Sequence, residues 1–132
     1  MEALRPDGKI SCRTLWLSDT HLGNIHSKAE YLLEFLQRVD CARLYLVGDI
    51  VDVWSMHRRV YWPEAHNSVL RELMRKSRHG VEVLYIPGNH DMNFREFVGS
   101  QFGNVTIHQQ CEHRTPDGRR FLVTHGDELD YA

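Results

Sequence analysis

Carboxylates, imidazoles and one side-chain amide recur in this sequence at short, regular spacings, each time just after an apolar run. Asp19 and His21 stand two apart, Asp49 follows Gly48, Asn89 with His90 and Asp91 follows Gly88, and His125 precedes Gly126 and Asp127. Carboxylate oxygen, imidazole nitrogen and amide oxygen are ligands for a divalent cation of intermediate hardness such as Mn²⁺, Fe²⁺ or Zn²⁺. Residues two apart on an extended or tightly turned backbone can reach one point, and a carboxylate such as Asp49 can bridge two cations. Two cations about 3.5–4 Å apart lower the pKa of a water between them and clamp the oxygens of a phosphoryl group. Any one of these aspartates, read alone, is a turn former or helix cap. That reading must hold four times over at strand ends for the set to be structural only.

The elements that would position them are legible from periodicity. Residues 13–18 (RTLWLS), 43–47 (RLYLV) and 81–86 read as short buried strands. Between them, Ala29, Leu32, Leu33, Leu36 and Val39 repeat at helical spacing, as do Ala65, Val69, Leu70, Leu73 and Met74 after Pro63. Gly80 ends the second helix, behind the basic residues Arg71, Arg75, Lys76 and Arg78, which read as a solvated face. A short helix is expected around 94–102, a strand at 104–108, and a hairpin turn at Pro116-Asp117-Gly118 with its return strand at 120–124. Strands alternating with helices imply crossovers and a parallel sheet, and such sheets bind ligands beyond the carboxyl ends of their strands. The candidate ligands occupy those ends.

The whole chain has 132 residues, 42% hydrophobic and 26% charged, with a net charge of −2, the composition of one globular domain. Apolar runs are too short for a bilayer, and residues 1–9 lack the apolar stretch of a signal peptide. Cys12, Cys41 and Cys111 form no CxxC pair, which suits free thiols in a reducing cytoplasm. The near-neutral charge, without a dense basic stripe, argues against a nucleic-acid partner. His26, His57, His66, His79, His108 and His113 lack ligand-like neighbours and read as surface or packed histidines. After the second strand, Trp54, His57, Arg58, Arg59, Tyr61 and Trp62 could contact a substrate, the arginines through phosphate and the aromatics by stacking. Alternatively Tyr61 and Trp62 staple the next helix.

The motifs DxH (19–21), GDxxD (48–52), GNHD (88–91) and HGD (125–127) together resemble the calcineurin-like metallophosphoesterases. The longer stretches SDTHLG, YLVGDIVDVW, YWPEAHN, PGNHD and THGDELD are similar to the branch that includes UDP-2,3-diacylglucosamine diphosphatase of lipid A synthesis. The resemblance implies a mixed sheet with flanking helices, the N-terminal portion of a four-layer α/β/β/α sandwich, and a hydrolase of phosphoesters or pyrophosphates on a nucleotide-sugar lipid. Two divalent cations are implied, Mn²⁺ first among them. Asp19 and His21 would hold one, Asp49 would bridge, and Asn89 and His125 would hold the other. His90 would stabilise or protonate the phosphoryl oxygens, oriented by Asp91. Asp52 would fix a ligand histidine or the loop from behind, with Asp127 and Thr124 in similar roles. Arg58, Arg59 and Trp62 would contact the substrate. The family pattern continues to a GHxH motif that this sequence does not contain, so the chain reads as one domain, 1–132, that is the front part of a longer protein. A scaffold without activity is a second reading, and a nucleic-acid phosphodiesterase, against which the charge weighs, a third. Peripheral contact with a membrane would suit a lipid-linked substrate.

Overall fold

A computed structural model describes residues 3–88 and 90–124. Its centre is a six-stranded sheet built from β1 (Ala3–Leu4), β2 (Ile10–Leu17), β3 (Val39–Val47), β4 (Glu82–Ile86), β5 (Gln101–Phe102) and β6 (Val105–Ile107). The spatial order is β1-β2-β3-β4-β6-β5. β2, β3, β4 and β6 run parallel, and the edge strands β1 and β5 are antiparallel to their neighbours. The mostly parallel sheet expected from the alternating pattern is present.

Helices α1 (Ala29–Arg38) and α3 (Glu64–Arg78) cover one face. Leu36 of α1 and Val69 and Leu73 of α3 close on Leu44 and Leu46 of β3 and Val83 of β4, all buried. The opposite face carries the alternate residues Tyr45, Leu84 and Ile86, which meet Val123. Val123 belongs to a separate hairpin, β7 (Cys111–Arg114) and β8 (Arg120–Val123). The hairpin turns through Pro116-Asp117-Gly118 as the sequence indicates, but β8 pairs only with β7 among the described residues. The fourth strand therefore belongs to a second sheet, not to the edge of the first. Tyr45 OH lies 3.0 Å from Nδ1 of the buried His113, and Trp16 stacks on Tyr45 at 4.1 Å between ring centres. Trp16 stays 44% exposed, so the hairpin covers this face incompletely.

Two local readings need correction, and one short helix was not read from the sequence. The helical pattern runs through Val39, yet β3 starts there with no turn between. A short helix, α2 (Val53–Arg58), follows β3; its sequence signal is Asp52, whose carboxylate caps the Ser55 N–H at 3.0 Å. Around 94–102 there is a 3₁₀ helix (Met92–Phe97) and then β5, in place of one helix.

The basic side of α3 is also divided. Arg71 is exposed, but Lys76 is only 3% exposed. Its Nζ donates to the Val39 carbonyl at 2.7 Å and stands 3.8 Å from Glu72, which Arg75 grips at 2.6 Å. The carbonyl at the abrupt α1–β3 junction thus finds its partner 37 residues away. Replacing Lys76 by Ala removes this buried donor and its ion pair with Glu72, and is expected to cost about 2–3 kcal/mol in urea denaturation. Arg71→Ala should change stability by less than about 0.5 kcal/mol. Equal effects of the two would contradict the buried role of Lys76.

Candidate active site

Beyond the ends of β2 and β3 the two chains stay hydrogen-bonded in parallel. Asp19 N–H donates to the Gly48 carbonyl (3.0 Å), His21 N–H to Asp49 (2.9 Å) and Leu22 N–H to Ile50 (2.8 Å). Thr20 Oγ1 adds a bond to the Ile50 carbonyl at 2.9 Å. The DxH and GD segments therefore hold each other in register.

Within that frame Asp19, His21 and Asp49 adopt φ of 56°, 48° and 53°, the non-glycine residues in the left-handed region among the described residues. Such backbone costs about 1–3 kcal/mol per residue and persists where surrounding bonds enforce it. Its effect here is to turn three side chains inward. The ligand atoms of Asp19, His21 and Asp49 lie within 4.8 Å of one another. Asp49 is 6% exposed while the Asp19 side chain is 55% exposed, so the cluster has a buried floor and an open rim. The rim opens into a cleft of about 410 Å³ lined by Asp19, His21, Asn24, His26, Lys28 and His90, among others.

Asp52 lies under this cluster, 1% exposed. His21 Nδ1 is 3.2 Å from one of its oxygens and His90 Nδ1 is 3.0 Å from the other. Burial alone would raise the pKa of this carboxyl. Hydrogen bonds from His90, the Ser55 backbone and the side chains of Asn24 and Ser55 outweigh it and hold the group well below the usual carboxylate range. An ionised carboxylate only accepts, so both rings donate through Nδ1. In the neutral ring that arrangement puts the lone pair on Nε2 of His21, on the side of Asp19, whose Oδ1 is 3.6 Å away. The two rings meet edge to face at 4.9 Å.

Asp91 has a different task from the one the sequence suggests. It is fully buried and accepts from Asp49 N–H (3.1 Å), Ile50 N–H (2.9 Å), Gly88 N–H and the Tyr85 hydroxyl. Burial first, and then the adjacent Asp91 charge, push the Tyr85 hydroxyl far up, so it remains a donor. The carboxylate that orients the His90 ring is Asp52; Asp91 instead ties the backbone after β3 to that after β4. His90 N–H in turn donates to Asp49 Oδ1 at 2.7 Å, fixing the angle of that carboxylate.

Arg58, Arg59 and Tyr61 line a neighbouring pocket of about 340 Å³, joined to the cleft through Asn24 and His26. Trp62 does not line it. Its ring packs against the core cluster and its Nε1 donates to Asn67 at 3.3 Å, the helix-stapling alternative. His66 is buried and accepts the Gly23 N–H at 2.9 Å. Gly23 itself has φ 96° and no room for a Cβ, which would come 2.9 Å from Met56 of α2. His26 and Lys28 were missed as site residues; the signal for them is their place in the loop after β2, at the carboxyl edge of the sheet. Asn89, His125 and Asp127 lie outside the described residues, and Thr124 is partly buried just after β8.

The donor set (two carboxylates and an imidazole with its nitrogen pre-aimed) suits a divalent cation. A family model, described as calcineurin-like phosphoesterase, matches residues 12–131. A UDP-2,3-diacylglucosamine hydrolase of Porphyromonas gingivalis is 29% identical over 118 residues, covering 84% of this chain and 44% of that protein. The enzyme of the same name from Neisseria gonorrhoeae is 31% identical, covering 86% and 48%. The chain thus spans less than half the length of these curated relatives. Among solved structures, a Pseudomonas putida nuclease, MPE, matches at 21% identity and TM-score 0.43, over 72% of this chain and 46% of that one. With the match of 12–131 covering nearly all of its length, this chain belongs to the calcineurin-like phosphoesterase family, whose members work with divalent metal ions.

Proposed function

We propose that this domain carries the metal-binding half of a dinuclear hydrolase that cleaves a phosphoester or pyrophosphate, with UDP-2,3-diacylglucosamine or a similar nucleotide-sugar lipid as substrate. The observation that carries the reading is the convergence of Asp19, His21 and Asp49 within 4.8 Å above a buried carboxylate that fastens two imidazoles. Asp19, His21 and Asp49 would hold one cation, and Asp49 with Asn89 and His125 the other. Mn²⁺ is the first candidate, with Fe²⁺ and Zn²⁺ compatible. Bound cations would supply an activated water and neutralise phosphoryl charge. The residues of the chain then divide the remaining work. Asp52 keeps Nδ1 of both rings occupied, so Nε2 of His21 is available as a ligand and the His90 ring faces the cleft as a proton donor to a phosphoryl oxygen. Arg58 and Arg59 in the adjoining pocket suit the more distant anionic part of the substrate.

The relatives named as UDP-2,3-diacylglucosamine hydrolases, at about 30% identity, favour the lipid precursor as substrate class. Among the described residues no helix is long and apolar enough to cross a membrane. Free cysteines at 12, 41 and 111 favour a cytoplasmic setting. The outer side of α3, with Arg71 and Arg78 exposed beside partly exposed Leu70 and Met74, suits peripheral contact with a lipid surface.

The protein with Mn²⁺ is expected to hydrolyse bis(4-nitrophenyl) phosphate or to release UMP from the lipid substrate, and EDTA should abolish the activity. Failure on both substrates with Mn²⁺, Fe²⁺ and Zn²⁺ each supplied would contradict the proposal. Calorimetric titration gives a second check. Asp52→Asn puts an amide N–H against one imidazole and should weaken Mn²⁺ binding about 10–100-fold. Asp49→Ala should remove it. Unchanged Mn²⁺ affinity in either variant would refute the assigned ligand set.

A further inference from the structure

The loop between β2 and α1 breaks two local rules at the rim of the metal cleft. Helix α1 has Lys28 at its cap position, with no side-chain hydrogen bond to its first N–H groups. Ser, Thr, Asp or Asn is preferred there, and a cation faces the positive end of the helix dipole. Ser27 has the right chemistry for a cap but is used elsewhere: its Oγ donates to the Thr20 carbonyl at 2.7 Å, beneath the DxH turn. Lys28 is exposed, and among the described residues its ammonium has no hydrogen bond or ion pair, although Asp19 lines the same cleft and Glu30 sits in the first turn. What sets this cation apart is its place: it costs the helix stability where it stands, and it lines the same cleft as Asp19, His21 and His90, within reach of an anion bound there.

The loop is also braced against the cluster. Asn24 Nδ2 donates to Asp52 at 3.1 Å and lies 3.0 Å from Ser55 Oγ, while Asn24 Oδ1 accepts the His26 N–H at 2.8 Å. Through Asn24, Asp52 thereby braces the backbone at His26 as well as the two histidine rings. Lys28 lines the cleft that holds Asp19 and His21, whereas Arg58 and Arg59 line only the adjoining pocket.

We propose that Lys28, supported by His26, holds the phosphate directly bonded to the one that reacts, and so makes the cleft selective for diphosphates over single-phosphate diesters. This rests on the reading of the cleft as a phosphoester hydrolase site. Lys28 is a specificity residue here and takes no part in the bond breaking. Its ammonium neutralises the neighbouring phosphate and the floor of the cleft keeps the reacting one.

The test compares wild type, Lys28→Met, Lys28→Arg and Arg58→Ala with two substrates, the acylated UDP-sugar and bis(4-nitrophenyl) phosphate. Lys28→Met should raise KM for the UDP-sugar about tenfold more than KM for the diester, and Lys28→Arg should recover most of that difference. A parallel loss on both substrates, or a selectivity change in Arg58→Ala and none in Lys28→Met, would overturn the proposal. Binding of UDP and UMP to the Mn²⁺-loaded protein is measured alongside. There Lys28→Met should lose about tenfold more affinity for UDP than for UMP. If wild type turns over neither substrate, the hydrolase reading fails by itself. The UDP-to-UMP comparison then still decides the role of Lys28, an unchanged ratio counting against it.

Discussion

A buried carboxylate with four donors governs the geometry of the site. Asp91 has no solvent exposure, and an unpaired charge there would be prohibitive. It is tolerated because the N–H groups of Asp49, Ile50 and Gly88 and the hydroxyl of Tyr85 all converge on it. Those donors come from the loops after β3 and β4 and from β4 itself. Once they are satisfied, the backbone at Asp49 is held in its left-handed turn, and the Asp49 carboxylate is aimed at Asp19 and His21 as a consequence. Asp91 thus acts on the cluster through the backbone of Asp49 and Ile50.

Asp52 performs the complementary task from below. One charge accepts from two imidazoles, from a helix N–H and from Asn24, and so links α2, the loop before α1, and both histidines. A single-residue change in that network moves several groups together, because the partners share acceptor atoms rather than acting in series. The last aspartates of GDxxD and GNHD thus do different work: Asp91 shapes the backbone and Asp52 orients the rings.

What was legible in the sequence was whatever depended on local pattern. Alternating apolar strands and helices gave the parallel sheet, and the strand-end rule gathered Asp19, His21 and Asp49 before any coordinates did. The remainder rested on groups that have no one-letter signature. Asp91 bonds mainly to backbone N–H groups, so its role could not be told apart from that of a partner to His90. The junction at Val39 is held in part by Lys76 reaching it from α3, a long-range contact that periodicity cannot register. Helix α2 is six residues long, too short for a periodic signal, and only its cap residue announces it. Trp62 could face substrate or core with equal local plausibility, and tertiary packing decided for the core.

The central claim is that Asp19, His21 Nε2 and Asp49 form one metal site while Asp52 retains both Nδ1 atoms. Anomalous diffraction from crystals grown with Mn²⁺ tests it directly. The account requires a peak at coordination distance from all three side chains, with His21 bound through Nε2. Manganese found elsewhere, or held by His21 Nδ1 with Asp52 displaced, would contradict it.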